Sequence, residues 1–310
     1  MLIQRLPLYP ERDDVTLTAY VIDDSGELLN GASRPAVLIC PGGAYLGCSD
    51  AEAEPVALRF AAMGYHTFVL RYSVLFRGNL AGPMPENPDT VQPHGMHPVP
   101  MREIGQSMLM IRRHADAWHV DADRIALCGF SAGAHNCAMY AVNWHTAEMA
   151  AHFGVSPAQL RPVAVILGYM LSDYLQMKAS PMEGFARKIN ALANRALLGV
   201  EDPDDATRIA VSPALHVSDQ TPPMFLWSTS EDSLVPVEHT ARMALALAQA
   251  RVPFEVHVFE TGDHGMVLAD QSSAGSRDKI DPHVARWVPM AENWLGKRMA
   301  LPLPERRPGL

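Results

Sequence analysis

Between the apolar run Arg124-Ile125-Ala126-Leu127-Cys128 and a helix-like stretch, the chain reads Gly129-Phe130-Ser131-Ala132-Gly133. Few arrangements accommodate that order. A strand that passes through Gly-x-Ser-x-Gly into a helix must turn sharply, which strains the serine backbone and lifts its hydroxyl above the sheet edge. Side chains at the two glycine positions would clash with their neighbours. The pentapeptide alone also fits an ordinary Gly/Ser turn. Its strand-and-helix setting is what argues for a nucleophile elbow.

The same local order recurs along the 310-residue chain. Segments around Leu6–Leu8 and Val15–Val21, followed by the acidic turn Asp23-Asp24-Ser25-Gly26, read as edge strands. Pro35–Cys40 is a short continuous apolar run, the pattern of a buried strand, and it ends at Pro41-Gly42-Gly43-Ala44-Tyr45. A helix is expected over Ala51–Met63, with acidic residues in its first turn and Gly64 at its end. Next come a strand over Thr67–Tyr72, a helix over Arg102–Trp118, the strand Arg124–Cys128 and a helix over Ala132–His145. Further strands are expected at Val163–Leu167, Met224–Ser228 and Phe254–Phe259, with a last helix over His283–Met299. Such alternation predicts an α/β fold, a mostly parallel sheet with helices on both faces, in one domain over residues 1–300.

Two stretches interrupt the alternation. Residues 73–100 carry Pro83, Pro85, Pro88, Pro93, Pro98 and Pro100, which excludes a long helix or a central strand there. Residues 171–211 read as partly helical, with Met170, Met177 and Met182 close by. Each is either a plain surface excursion or a lid at the entrance to a site. The Pro-rich tail, residues 301–310, is expected to be poorly ordered unless docked.

Composition narrows the function classes. A net charge of −9, with no basic run longer than a pair such as Arg306-Arg307, argues against a nucleic-acid partner. No apolar run approaches the roughly 20 residues that span a bilayer, so no membrane partner is expected. Met1–Pro7 lacks the apolar stretch of a signal peptide. Cys40, Cys48, Cys128 and Cys137 lack metal-ligand spacing, and Cys40 and Cys128 fall in strand-like runs as small hydrophobes. These features predict a cytoplasmic protein with reduced thiols.

A serine hydroxyl is a poor nucleophile at neutral pH and needs a base, which an acid in turn orients. Downstream of an elbow the acid precedes the histidine in the chain, and both sit on loops after later strands. Two loops qualify: Thr229–Pro236 after the strand at Met224–Ser228, and Glu260–Met266 after Phe254–Phe259. They offer Asp232 and His264. Asp232 competes with Glu231 and Asp263, although Asp263 adjoins His264 in sequence, poor geometry for orienting its ring. Of the other histidines, His257 falls within a strand pattern, His135 one turn past Ser131, and His94 and His97 in the Pro-rich loop.

The reaction also needs donors for the oxyanion. One N–H is expected from Ala132, at the helix N-terminus, and others from the loop after Cys40, where Gly42-Gly43 allows close approach of backbone.

Several segments together resemble the α/β-hydrolase superfamily, and within it the hormone-sensitive-lipase-like and acetylxylan-esterase-like branch. They are Pro41–Tyr45, Asp50–Ala57, Val69–Ser73, Gly129–Gly133, Asp232-x-x-Val235-Pro236 and Gly262–Gly265. The likeness runs from about residue 35 to 295. It implies a triad of Ser131, Asp232 and His264, and oxyanion donors at Gly43, Ala44 and Ala132. The branch usually has His-Gly-Gly-Gly where this chain has Pro41-Gly42-Gly43-Ala44. Pro41 lacks the histidine's side-chain hydrogen bonds, and Ala44 can donate its N–H provided its φ is negative, which leaves the exact donor pair in this loop open.

The implied function is a serine carboxylesterase for small acyl esters, including acetyl groups on sugars or xylan fragments, with no cofactor and no metal. An amide hydrolase such as an arylformamidase, or a peptidase, uses the same chemistry and stays open. A non-catalytic hydrolase-like binding protein also stays open, although such proteins commonly lack a triad member. The oligomeric state is undecided, a homodimer among the options.

Overall fold

The computed structural model describes residues 1–25, 27–29, 31–76 and 95–303. Pro83, Pro85, Pro88, Pro93 and His94 lie outside the described residues, as does most of the tail.

Eight strands form one sheet: β1 (Leu2–Tyr9), β2 (Arg12–Val21), β3 (Arg34–Cys40), β4 (His66–Arg71), β5 (Val120–Phe130), β6 (Val165–Gly168), β7 (Met224–Thr229) and β8 (Phe254–Phe259). Their spatial order is β1-β2-β4-β3-β5-β6-β7-β8. β1 pairs antiparallel with β2, and β2 with β4; all later pairs are parallel. The order carries a functional consequence. From β3 the chain crosses to β4 on one side, whereas from β5 it goes to β6 on the other. The loops leaving β3 and β5 therefore part at their carboxyl ends and open a crevice between them.

The central strands are apolar throughout because both faces are covered. Side chains alternate along each strand, so one continuous run feeds two cores. Leu38, Leu127, Leu167 and Leu226 face one core; Ile39, Cys128, Ile166 and Trp227 face the other. On the first side pack α2 (Val99–Arg113), α4 (Ala132–Asn143) and α9 (Glu238–Gln249), through residues such as Ile104, Cys137 and Met243. On the second pack α1 (Glu54–Ala62) and α10 (Trp287–Met299), through Phe60, Trp287 and Trp294. All four cysteines are buried and free.

Three expectations shift. The helix expected from Ala51 starts at Glu54, because Glu52 turns inward and Pro55 occupies the first turn. The Pro-rich stretch is expected to run through Pro100, yet α2 already begins at Val99; proline is tolerated in a first helical turn, where its missing N–H has no partner to lose. The helix expected over 102–118 breaks at His114 into α2 and a short α3 (Ala115–Trp118). There the His114 ring stacks on Trp118 at 4.4 Å, and Trp118 packs against Phe68 of β4. Residues 171–211 hold three helices, α6 (Tyr174–Ala179), α7 (Gly184–Leu198) and α8 (Asp205–Ala210), after the short α5 (Ala147–Phe153). Among the described residues, no helix is long and apolar enough to cross a membrane.

Candidate active site

β5 ends at Phe130 and α4 begins at Ala132, so the reversal falls on Ser131, at φ 50° and ψ −121°. A side chain in so sparsely populated a conformation costs on the order of 1–3 kcal/mol. Hydrogen bonds hold it there: Ser131 N–H donates to Gly168 O at 3.0 Å, and Ser131 O accepts from His135 N–H at 2.9 Å. The flanking glycines are required by crowding. A Cβ on Gly129 would lie 2.5 Å from the carbonyl oxygen of Gly133, and one on Gly133 2.0 Å from that of Cys40.

The turn after β7 presents Asp232 and the loop after β8 presents His264. His264 Nε2 lies 2.8 Å from Ser131 Oγ, and Nδ1 lies 2.7 Å from Asp232 Oδ2. The second carboxylate oxygen accepts from the N–H groups of Leu234, at 3.0 Å, and Val235, at 2.8 Å. A carboxylate only accepts, so Nδ1 carries the imidazole proton and Nε2 is left to accept from the serine.

The competing acids are engaged elsewhere. Glu231 Oε2 accepts from Gly262 N–H at 3.1 Å, and Asp263 Oδ1 accepts from Ser233 N–H and Oγ at 3.2 and 2.8 Å. Both stitch the Asp232 loop to the His264 loop. His257 is on the edge strand, with Nε2 2.9 Å from Glu255 Oε1. The backbone N–H of His97 donates to Leu197 O at 2.8 Å. His135 is fully buried beneath the β3 loop: its Nδ1 accepts from Tyr45 Oη at 2.6 Å and its Nε2 donates to Val211 O at 2.8 Å. Burial pushes its pKa down to about 4, so the ring stays neutral.

That loop corrects the reading of Ala44. Ala44 and Tyr45 have φ of 56° and 59°, and Leu46 N–H donates back to Gly43 O at 2.9 Å. The turn is left-handed at both central residues, where a negative φ was expected. It must double back so that Tyr45 drops into the core, edge-on to Tyr72 at 5.8 Å and bonded to His135. The N–H groups of Gly43, Ala44 and Ala132 have no hydrogen-bond partner among the described residues. Gly43, Ala44 and Ser131 line one cavity, and Ala44, Ser131 and Ala132 another.

Two residues at the site went unnoticed in the sequence. Glu52 is buried behind the loop, with Oε2 2.5 Å from Gly42 N and Oε1 2.7 Å from Tyr169 Oη. Tyr169 follows β6 and packs edge-on against the His264 ring at 5.0 Å. The available signal was position: Tyr169 ends a strand on the same sheet edge as Ser131. Glu52 looked like a helix-dipole carboxylate.

The space around Ser131 is divided. One cavity, of about 50 Å³, is lined by Tyr45, Ala132, His135, Tyr174, Met177 and Ile189, among others. A second, of about 340 Å³, is lined by Gly43, Glu52, Phe185, Leu234 and His264, among others. A third, of about 490 Å³, shares Phe185, Leu234 and His264 with the second and reaches Met182, Glu183 and Asp263. Helices α6 and α7 thus wall the serine on two sides.

The BD-FAE family matches residues 90–247 of this chain. Endo-1,4-beta-xylanase B of Butyrivibrio fibrisolvens is 32% identical over 259 residues, 82% of this chain and 35% of that protein. Acetylxylan esterase of Xylanibacter ruminicola is 25% identical over 174 residues, 56% of this chain and 32% of that protein. The chain thus spans about a third of the length of these curated relatives. Among solved structures, MGS-M1, an α/β hydrolase enzyme from a Medee basin deep-sea metagenome library, superposes with a TM-score of 0.70 at 32% identity, covering 97% of this chain and 99% of that one. With the eight-stranded, mostly parallel sheet and the elbow at its centre, these matches establish that the chain belongs to the BD-FAE family of α/β hydrolases.

Proposed function

We propose that this chain is a serine-dependent carboxylic ester hydrolase for small acyl esters, with acetyl groups on sugars or xylan fragments as its substrate class. The observation that carries the reading is the continuous hydrogen-bonded chain Ser131–His264–Asp232, ending on the strained elbow serine. In this scheme Ser131 Oγ attacks the acyl carbonyl as His264 Nε2 takes its proton. Asp232 holds the ring and stabilises the imidazolium. The carbonyl oxygen becomes an oxyanion facing the N–H groups of Gly43 and Ala132, each such donor being worth roughly 3–4 kcal/mol in the transition state, with the N–H of Ala44, unpaired among the described residues in its left-handed turn, as a third candidate. His264 returns the proton to the leaving alcohol, and water releases the acyl-enzyme by the reverse sequence.

That proton return assigns the cavities. The leaving oxygen must reach His264, so the alcohol portion belongs in the spaces that His264 lines and the acyl group in the small one. A water-sized group needs roughly 10–15 Å³ on this scale, so the acyl pocket takes only a few heavy atoms. The similarity to an acetylxylan esterase supports the acetyl reading, and helices α6 and α7 act as the cap.

The test is a panel of acyl esters of graded length, acetylated xylo-oligosaccharides, N-formyl amides and peptides, with labelling by an active-site-directed fluorophosphonate. Short esters are expected to be turned over, Ser131 to be labelled, and Ser131→Ala to abolish turnover in a folded protein. Turnover retained by Ser131→Ala, or amides preferred over esters, overturns the reading.

A further inference from the structure

Glu52 is a carboxyl group that the reaction scheme leaves without a task, although it lines the cavity holding Ser131 and His264. The residue is only 4% exposed. Its two oxygens reach two parts of the site. Oε2 accepts from the N–H of Gly42, at the root of the oxyanion loop, and Oε1 from the hydroxyl of Tyr169, whose ring abuts His264. The contact with the loop is tight: a Cβ on Gly42 would lie 2.8 Å from Oε2 and 2.8 Å from Ser131 Cβ. Tyr169 is itself held firmly, at φ 37°, its N–H donating to Trp227 O at 2.7 Å and its ring edge-on to Trp227.

The hydrogen bonds favour the ionised carboxylate. Two donors already point at the two oxygens, and each bond is stronger to a carboxylate than to a neutral carboxyl. Burial is the largest influence and leaves the pKa of this carboxyl above its ordinary value, although Tyr169, the Gly42 N–H and a positive His264 pull it down. Tyr72 and Cys128 also face it, both held neutral by burial. Around His264 stand Asp232, Glu52 and Tyr169, with Asp263 beside it in the chain and Glu183 across the outer cavity. Lys279 Nζ donates to its carbonyl oxygen at 2.7 Å.

We propose that Glu52 is a positioning residue that ties the oxyanion loop, through Gly42, to the face of the catalytic histidine, through Tyr169, and sets a second negative charge facing that histidine. The inference rests on the Ser131–His264–Asp232 reading above. An anion beside the ring favours the imidazolium that forms as Ser131 attacks. Removing the anion withdraws that stabilisation from the imidazolium.

The test follows the rate of Ser131 phosphonylation by a fluorophosphonate against pH, alongside kcat and KM for p-nitrophenyl acetate. Glu52→Gln keeps the shape and removes the charge. It is expected to lower kcat and the phosphonylation rate about tenfold or more, leave KM within about threefold, and move the acid limb to lower pH, since neutral histidine then persists further into acid. Tyr169→Phe keeps the carboxyl and cuts one hydrogen bond; it is expected to lower kcat several-fold with a smaller shift of the acid limb than Glu52→Gln gives. It also decides the matter if Glu52→Gln fails to fold. A Glu52→Gln enzyme with the wild-type rate and limb, or a Tyr169→Phe enzyme with unchanged kcat, overturns the proposal. Failure to label the wild-type serine overturns the triad reading instead.

Discussion

The Cβ that Gly133 lacks would sit 2.0 Å from the carbonyl oxygen of Cys40, closer than any side chain tolerates. The first turn of α4 therefore rests directly on the end of β3, and the serine two residues earlier takes its height above the sheet from that contact. Gly133→Ala should lose about 4 kcal/mol or fail to fold, because only backbone lies in the way and it cannot move aside. Gly296 of α10 is the control: a Cβ there meets nothing within 4 Å, so Gly296→Ala should gain about 0.5–1 kcal/mol. Thermal or urea unfolding of the two variants checks both signs.

Asp232→Asn should be far worse for rate than for stability. Two backbone N–H groups, of Leu234 and Val235, point at Oδ1 and will retain the carbonyl end of an asparagine. The amide NH2 then faces His264 Nδ1, which must accept, so the ring proton moves to Nε2 and can no longer take the serine proton. A loss of about 10⁴-fold in kcat is expected, by analogy with the effect of this tautomer change in serine proteases. Steady-state turnover of p-nitrophenyl acetate with a parallel melting curve measures both.

Met177→Ala should lengthen the acyl group accepted. Met177 is buried and lines the small cavity but neither of the spaces that His264 lines. Its truncation should bring hexanoyl esters into turnover at a cost of about 2–5 kcal/mol in stability. An acyl profile unchanged in the variant would mean that the acyl chain lies elsewhere.

Stability should fall steeply in acid. Burial depresses His66, His97, His135 and His239 to about 4 from an ordinary value of 6.5. Each contributes stability that is present above 6.5 and is lost as pH falls towards 4, about 3 kcal/mol apiece at the limit. Glu103 works the other way. Burial raises it to about 7 from 4.5, despite hydrogen bonds from Ser73, so its contribution is full below 4.5 and is lost as pH rises through 7. Four histidines outweigh one glutamate of similar shift, so the net slope between pH 6.5 and 4.5 is acid-destabilising. Glu103→Gln should steepen the acid loss by removing the opposing term. Urea unfolding at a series of pH values reads each slope.

Local patterns carried most of the architecture. Pro35–Cys40 and Met224–Ser228 were legible as strands because a central parallel strand is apolar on both faces, and both extend by only one residue in the structure. The helix over 102–118 was read as continuous because its apolar spacing persists through the break. Only the packing of Trp118 onto Phe68 shows why the chain turns at His114. Ala44 was expected at negative φ because a Cβ-bearing residue rarely adopts the alternative. The burial of Tyr45 overrode that local preference.

The sequence by itself determined the alternation of strands and helices, the glycine-flanked serine, and the order in which an acid and a histidine follow it. These are short-range signals, written within a few residues by side-chain period and by the room that glycine leaves. Tertiary structure decided what a separation of 133 positions conceals between Ser131 and His264, and of 117 positions between Glu52 and Tyr169. Which acid meets the ring, how wide the acyl pocket is and where a buried carboxylate points all depend on distances between elements. Those distances come from packing two cores onto one twisted sheet, and no local pattern encodes them.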